Sequence, residues 1–295
     1  GGQRRPSKVL PVESPLTAWA KAASTKLRMT WLGHSTVLID IDGVRVLTDP
    51  VFGERVSPVP FAGPKRFHQT PVTLSQLPPI DAVLLSHDHF DHLCATSMKQ
   101  IAKLGVPVIT SLGVGARLEA MGVDPKRIVE LDWWEDYTLP GGALRFTATP
   151  AQHFSGRSLT DRNRTLWSSW VMTSASHRVF FSGDMRLTEE FREIGRLYGP
   201  FDVVMLEIGA WHPSWGAIHL GPENALKASE MLRGKALFPV HWSTFDLALH
   251  AWDEPAETLV ALAQQTGQRI LTPRLGRPFE VAHVEGVDPW WREAR

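Results

Sequence analysis

The chain has 295 residues, with 31 Lys plus Arg against 31 Asp plus Glu and a formal net charge of zero. That balance argues against a dedicated nucleic-acid binder, which carries a basic excess. No run of 18 apolar residues is present, which excludes a membrane-spanning helix, and a single cysteine, Cys94, excludes an internal disulfide and a thiolate-rich metal cluster. With 43% hydrophobic residues the chain buries a real core, and any metal site must be built from His and carboxylates. The chain starts Gly1-Gly2 rather than with Met, as a trimmed or processed end does. A cytoplasmic location is expected, though a leader removed ahead of residue 1 would leave no trace.

In chain order, residues 1–26 are Pro- and Ser-rich with a short amphipathic stretch at 16–23, and are expected to form an arm lying on the body. Residues 27–295 contain no linker and are expected to form one domain. Short β-rich runs follow at 27–32, 36–41 and 44–48, with an Asp42-Gly43 hairpin signal between the last two. Residues 50–79 hold seven prolines and no periodicity, the mark of a functional or disordered loop. Strands are expected at 82–85, 106–110 and 128–131, and helices at 93–104 and 116–121. The second half repeats this texture. Strands fit 143–149, 169–173, 179–182, 203–208 and 236–240; helices fit 189–197, 222–233 and 255–266. Two packed sheets with helices outside are the simplest architecture for such a pattern.

The segment Ser86-His87-Asp88-His89-Phe90-Asp91-His92 carries the chemistry. On extended backbone His87 and His89 point the same way and can converge on one ion. Where the strand end bends, Asp91 and His92 turn elsewhere and can serve a second. Imidazole with carboxylate suits Zn, and also Fe or Mn. Two ions need more donors than this segment offers. His153, Asp184 and His241 each sit just past a β-like run, where a side chain reaches a sheet edge.

With those residues behind the HxHxDH segment, the chain resembles the metallo-β-lactamase superfamily, in the branch containing N-acyl-phosphatidylethanolamine-hydrolysing phospholipase D. The matching stretches include Trp31-Leu32-Gly33-His34-Ser35-Thr36, Thr48-Asp49-Pro50, Pro150-Ala151-Gln152-His153, Asp161-Arg162-Asn163, Ser182-Gly183-Asp184 and His241-Trp242. The resemblance implies a four-layer αββα sandwich with metals at one edge of the sheets. It implies His87, His89 and His153 on one ion, Asp91, His92 and His241 on a second, and Asp184 bridging two Zn. His219 matches an active-site histidine of that branch. Cys94 stands where the branch has Asp, Met185-Arg186-Leu187 replaces Thr-Gly-Tyr, and Ser214 replaces an arginine that would pair with phosphate.

The chemistry expected is hydrolysis of a phosphodiester in a lipid-like substrate by a hydroxide held between two cations. Asp184 would orient it, and His219 or His34 would donate toward the leaving side. Asp49 would orient a ligand imidazole through its other nitrogen. Trp211, Trp215 and the 50–79 loop are candidate walls for an acyl chain, and Lys65 and Arg66 candidate attractors of an anionic substrate. Transient contact with a membrane surface is compatible with this reading, and oligomeric state is open. The alternatives are a lactonase or other ester or amide hydrolase, a di-iron redox domain, which would place a carboxylate at the position of His89, and a degenerate metal-binding module.

Overall fold

The computed structural model describes residues 3–59, 61–212 and 218–295. Three strands open the fold: β1 (Leu27–Gly33), β2 (Thr36–Ile41) and β3 (Val44–Thr48). The β2–β3 connection is the expected two-residue hairpin. Asp42 and Gly43 have φ of +48° and +86°, the left-handed pair a twisted hairpin needs, and Ile41 faces Val44 across the ladder.

Beyond the long loop come β4 (Ala82–Leu84), β5 (Val108–Ser111) and β6 (Ile128–Leu131), parallel to β3. A two-residue strand near the C-terminus, β13 (Phe279–Glu280), completes the sheet in the order β13-β1-β2-β3-β4-β5-β6. The second sheet contains β7 (Asp136–Thr138), β8 (Arg145–Thr149), β9 (Ser169–Thr173), β10 (Arg178–Phe181), β11 (Val203–Glu207) and β12 (Leu237–Val240), in the order β12-β11-β10-β9-β8-β7. β10, β11 and β12 run parallel and the others antiparallel.

Strand alternation builds four layers. On β2, Val37, Ile39 and Ile41 enter the core between the sheets, while Leu38 points the other way. Val83 and Leu47 share the outward face with Leu38. There they meet Trp19 of α1 (Leu16–Trp19), Met98 and Ile101 of α2 (Ala95–Ile101), and Leu118 of α3 (Gly115–Ala120). On the opposite side, α4 (Glu190–Tyr198), α5 (Gly221–Met231) and α6 (Glu254–Thr266) cover the second sheet with Phe191, Ile194, Leu226 and Leu259. The αββα sandwich is the architecture expected.

Two elements are shorter than expected and two strands are added, each for a physical reason. The helix expected at 93–104 starts at Ala95, because Cys94 is extended, with φ −92° and ψ +113°, and separates it from the turn that Leu93 N–H closes on His89 C=O at 2.7 Å. The stretch 16–23 yields a single helical turn, since Arg28 Nη1 takes the carbonyls of Ala18 and Lys21 and pulls the chain out of helix. β7 and β13 were not anticipated; edge strands of three and two residues have no room for an alternation to show. The N-terminal segment lies on the body: Leu10 is buried, Val12 bridges Leu275, and Arg4 pairs with Asp246. The 50–79 loop is packed rather than open, with Val51, Val56, Val72 and Leu74 buried.

Candidate metal centre

β1, β3, β4, β8, β10, β11 and β12 all end at one edge of the sandwich. The residues just beyond them converge there, as ligand sites do outside the carboxyl ends of strands. His34 follows β1, Asp49 follows β3, and the 86–92 segment follows β4. His153 follows β8, Asp184 follows β10, Glu207 ends β11, and His241 follows β12. His34, Asp49 and His241 take left-handed φ values of +52°, +31° and +64°, backbone strain of the kind found at functional sites.

Two donor sets form. His87 Nε2 lies 2.9 Å from His89 Nδ1, and His153 Nε2 lies 3.3 Å from the same atom. Asp184 Oδ2 is 3.8 Å from both His87 Nε2 and His153 Nε2. In the second set, Asp91 Oδ2 is 3.2 Å from His241 Nε2 and 3.4 Å from His92 Nε2. Asp184 Oδ2 reaches these two imidazoles as well, at 3.2 and 3.1 Å. All seven side chains singled out as ligands therefore meet, with Asp184 common to both sets.

Proton placement shows that the donors fit a cation. Ser86 Oγ–H donates to Asp49 Oδ2 at 2.6 Å, so His87 Nδ1–H donates to Ser86 Oγ at 2.9 Å. His92 Nδ1–H donates to Asp49 Oδ2 at 2.6 Å. In their neutral form both rings thus present bare Nε2 lone pairs inward. The His92 Nε2 lone pair faces carboxylate oxygens and has no hydrogen-bond partner among the described residues, as is also true of Asp184 Oδ1. Lone pairs aimed at lone pairs in a buried site repel unless positive charge, a proton or a metal ion, lies between them.

The electrostatics agree. Burial, helped by His92 and His89, holds His87 well below its usual pKa, and burial pulls His153 to about 3. Both stay neutral donors. Burial also opposes charge on His92 and His241, yet Asp184 and its neighbouring carboxylates outweigh it. His92 lies well above its ordinary value and His241 rises to about 10. This half of the pocket attracts positive charge.

His34 and His219 flank the donors. His34 is fully buried, and burial with the nearby His241 lowers it to about 3. Its Nε2–H is committed to Asp91 at 2.9 Å, and its ring centroid lies 4.0 Å from that of His241. His219 donates Nδ1–H to Glu207 Oε2 at 2.5 Å, with its ring 5.3 Å from those of His153 and His241. Glu207 was missed from sequence. It is buried, accepts the backbone N–H of Met185 at 2.7 Å, and lies 3.8 Å from His241 Nδ1. The signal was present: a lone Glu closing the apolar run Val203-Val204-Met205-Leu206, at the same strand-end position as the candidate ligands.

Other candidates fall differently. Lys65 pairs with Glu54, and Arg66 donates to the carbonyls of Gly53 and Val51, so the structure engages both basic groups elsewhere. Trp170 and Trp242 are core residues, whereas Trp211 is half-buried and stacks on His250. Ser214 and Trp215 lie outside the described residues. Cys94 is buried with Sγ 3.2 Å from Thr96 Oγ1. No helix among the described residues is long and apolar enough to cross a membrane.

Comparison with known proteins gives the same picture. The family described as Beta-lactamase superfamily domain matches residues 44–242. N-acyl-phosphatidylethanolamine-hydrolyzing phospholipase D 1 of Caenorhabditis elegans is 36% identical over 248 residues, 81% of this chain and 69% of its own length. A metal-dependent hydrolase of Pyrobaculum neutrophilum is 27% identical over 222 residues, 75% of this chain and 86% of its own. Among solved structures, a metallo hydrolase from the archaeon Ignicoccus hospitalis has the same fold, with a TM-score of 0.66 at 21% identity, covering 86% of this chain and 98% of that one. Sequence match, fold and a buried His/Asp cluster shaped for cations agree: the chain belongs to the metallo-β-lactamase superfamily and is a metal-dependent hydrolase.

Proposed function

We propose that the enzyme is binuclear and cleaves a phosphodiester in a lipid-like substrate. His87, His89 and His153 would hold one cation, Asp91, His92 and His241 the other, and Asp184 both. The observation that carries this reading is the position of Asp184 Oδ2, within 3.8 Å of four imidazole nitrogens belonging to two donor sets. Residues 27–295 would act as a single catalytic domain with 1–26 as its arm. When bound, such cations supply Lewis acidity and a nucleophile at neutral pH.

The chain's own residues supply the rest. Asp49 fixes the tautomers of His92 directly and of His87 through Ser86, so that both rings offer Nε2. His34 holds the Asp91 carboxylate by one hydrogen bond. Burial opposes charge on His219, but Glu207 outweighs it, raises its pKa and anchors Nδ1–H, so the protonated ring would carry a second N–H, on Nε2, to donate toward a leaving oxygen. Support for a lipid-like substrate comes from the Caenorhabditis relative and from exposed Phe61, Leu159 and Ile218 on loops that flank site residues in the chain.

The test is a panel of chromogenic phosphodiesters, lactones and a β-lactam, given to protein reconstituted with Zn, Fe or Mn. The expected result is fastest turnover on a phosphodiester bearing an acyl or alkyl chain. Faster turnover of a lactone than of any phosphodiester would overturn the substrate assignment and favour the lactonase reading.

A further inference from the structure

We infer that Arg162 is a substrate-recognition residue that binds a second anionic group on the substrate, a carboxylate or phosphate separate from the one undergoing hydrolysis. The inference rests on the hydrolase reading above and adds to it the charge the substrate must carry.

Arg162 is exposed, and its guanidinium lies over the ring of Phe154, 4.5 Å from the centroid. Phe154 is wedged against the first donor set, with its ring 4.7 Å from both His89 and His153. The charge therefore stands one aromatic ring away from two candidate ligands. This cation–π contact takes none of the guanidinium N–H groups into a hydrogen bond, so the fork that matches a carboxylate or phosphate keeps its donors. Among the described residues, the side chain forms no ion pair and no hydrogen bond.

The surrounding loop is held firmly. Asp161 accepts the backbone N–H groups of Arg157 and Ser158 at 2.9 and 2.8 Å and the guanidinium of Arg117 at 2.5 Å. Asn163 exchanges two hydrogen bonds with Ser155, through N–H to its carbonyl at 3.0 Å and from its N–H to Oδ1 at 3.2 Å. Gly156 N–H ties the loop to Asp88 Oδ1 at 2.8 Å, inside the metal-binding segment. Arg162 is carried between these fixed points, so its position costs a ligand little ordering. Two nearby arginines are engaged otherwise: Arg157 donates to the carbonyls of Asp88 and Leu93, and Arg117 pairs with Asp88 and Asp161.

The test uses two alkyl(methyl)phosphinates, non-hydrolysable because P–C bonds replace both ester P–O bonds, each with a flexible alkyl arm, one ending in a carboxylate and one in a methyl group. Binding to the metal-loaded protein is measured by calorimetry. Wild type is expected to bind the carboxylate-ended compound about tenfold more tightly. Arg162→Ala should erase that preference without changing affinity for the methyl-ended compound, and Arg162→Lys, which keeps the charge but not the planar fork, should fall between. Wild type binding the two compounds alike, whether well or not at all, would overturn the inference, as would an equal loss of both in Arg162→Ala. No turnover is needed. A protein that prefers the carboxylate-ended compound yet cleaves no phosphodiester would refute the preceding proposal and leave this one standing.

Discussion

Replacing Asp49 by Ala is expected to cost about 3–5 kcal/mol of stability and to weaken metal affinity by roughly 10- to 100-fold. Asp49 is fully buried and accepts three hydrogen bonds: Ser86 N–H at 2.8 Å, Ser86 Oγ–H at 2.6 Å and His92 Nδ1–H at 2.6 Å. Burial raises its pKa, while His92 and Ser86 oppose the rise, which marks a carboxylate kept inside by its partners. With the carboxylate gone, three donors lose their acceptor in a dry interior. The His92 proton can then move to Nε2, and nothing holds the His87 proton on Nδ1. Asp49→Asn sharpens the comparison, because its amide can accept from Ser86 N–H but has no second acceptor oxygen for His92. Urea denaturation and competition with a chelating dye measure the two effects. An Asp49→Ala protein that keeps wild-type stability and metal affinity would show the carboxylate to be a bystander.

Gly209→Ala is expected to destabilise the fold by about 3 kcal/mol or more and to displace His241. Gly209 lies two residues beyond β11, beside the parallel strand β12 that delivers His241. A Cβ built there would sit 2.1 Å from the His241 carbonyl oxygen and 3.3 Å from Trp242 Cα. Both contacts are backbone, so no rotamer change relieves them. Moving the backbone shifts His241, whose N–H is bonded to His34 C=O at 3.0 Å. The damage therefore spreads to the second donor set. Gly267→Ala is the control. Gly267 caps α6 at φ +71° with nothing within 4 Å of a Cβ, so its cost is the left-handed strain alone, about 1 kcal/mol. Equal thermal shifts in the two variants would contradict the close-approach argument.

The legible parts of the sequence are those where one residue type has one physical use. Asp42-Gly43 announces a hairpin because both positions need left-handed backbone, and the structure supplies it. The HxHxDH segment and the three strand-end candidates were legible as one cluster because His and Asp have few reasons to punctuate the ends of apolar runs. Glu207 was hidden for the opposite reason. It lies within a run that reads as strand, and its purpose appears only when His219, twelve residues on, folds back against it. Ser86 was equally silent, since a serine before a histidine has many uses and only the path through Asp49 reveals this one. Long-range placement also decided the basic residues. Lys65 and Arg66 looked available in sequence but are engaged by Glu54 and by backbone carbonyls, whereas Arg162, one residue in a matched Asp-Arg-Asn stretch, stands unpaired beside the site.

Metal stoichiometry decides whether the site is binuclear. Purified protein, saturated with Zn, Fe or Mn and freed of excess, should retain close to two equivalents per chain by elemental analysis. Asp184→Ala, which removes the one carboxylate common to both donor sets, should lower both occupancies together. A saturated wild-type protein that holds one equivalent or none would contradict the binuclear account.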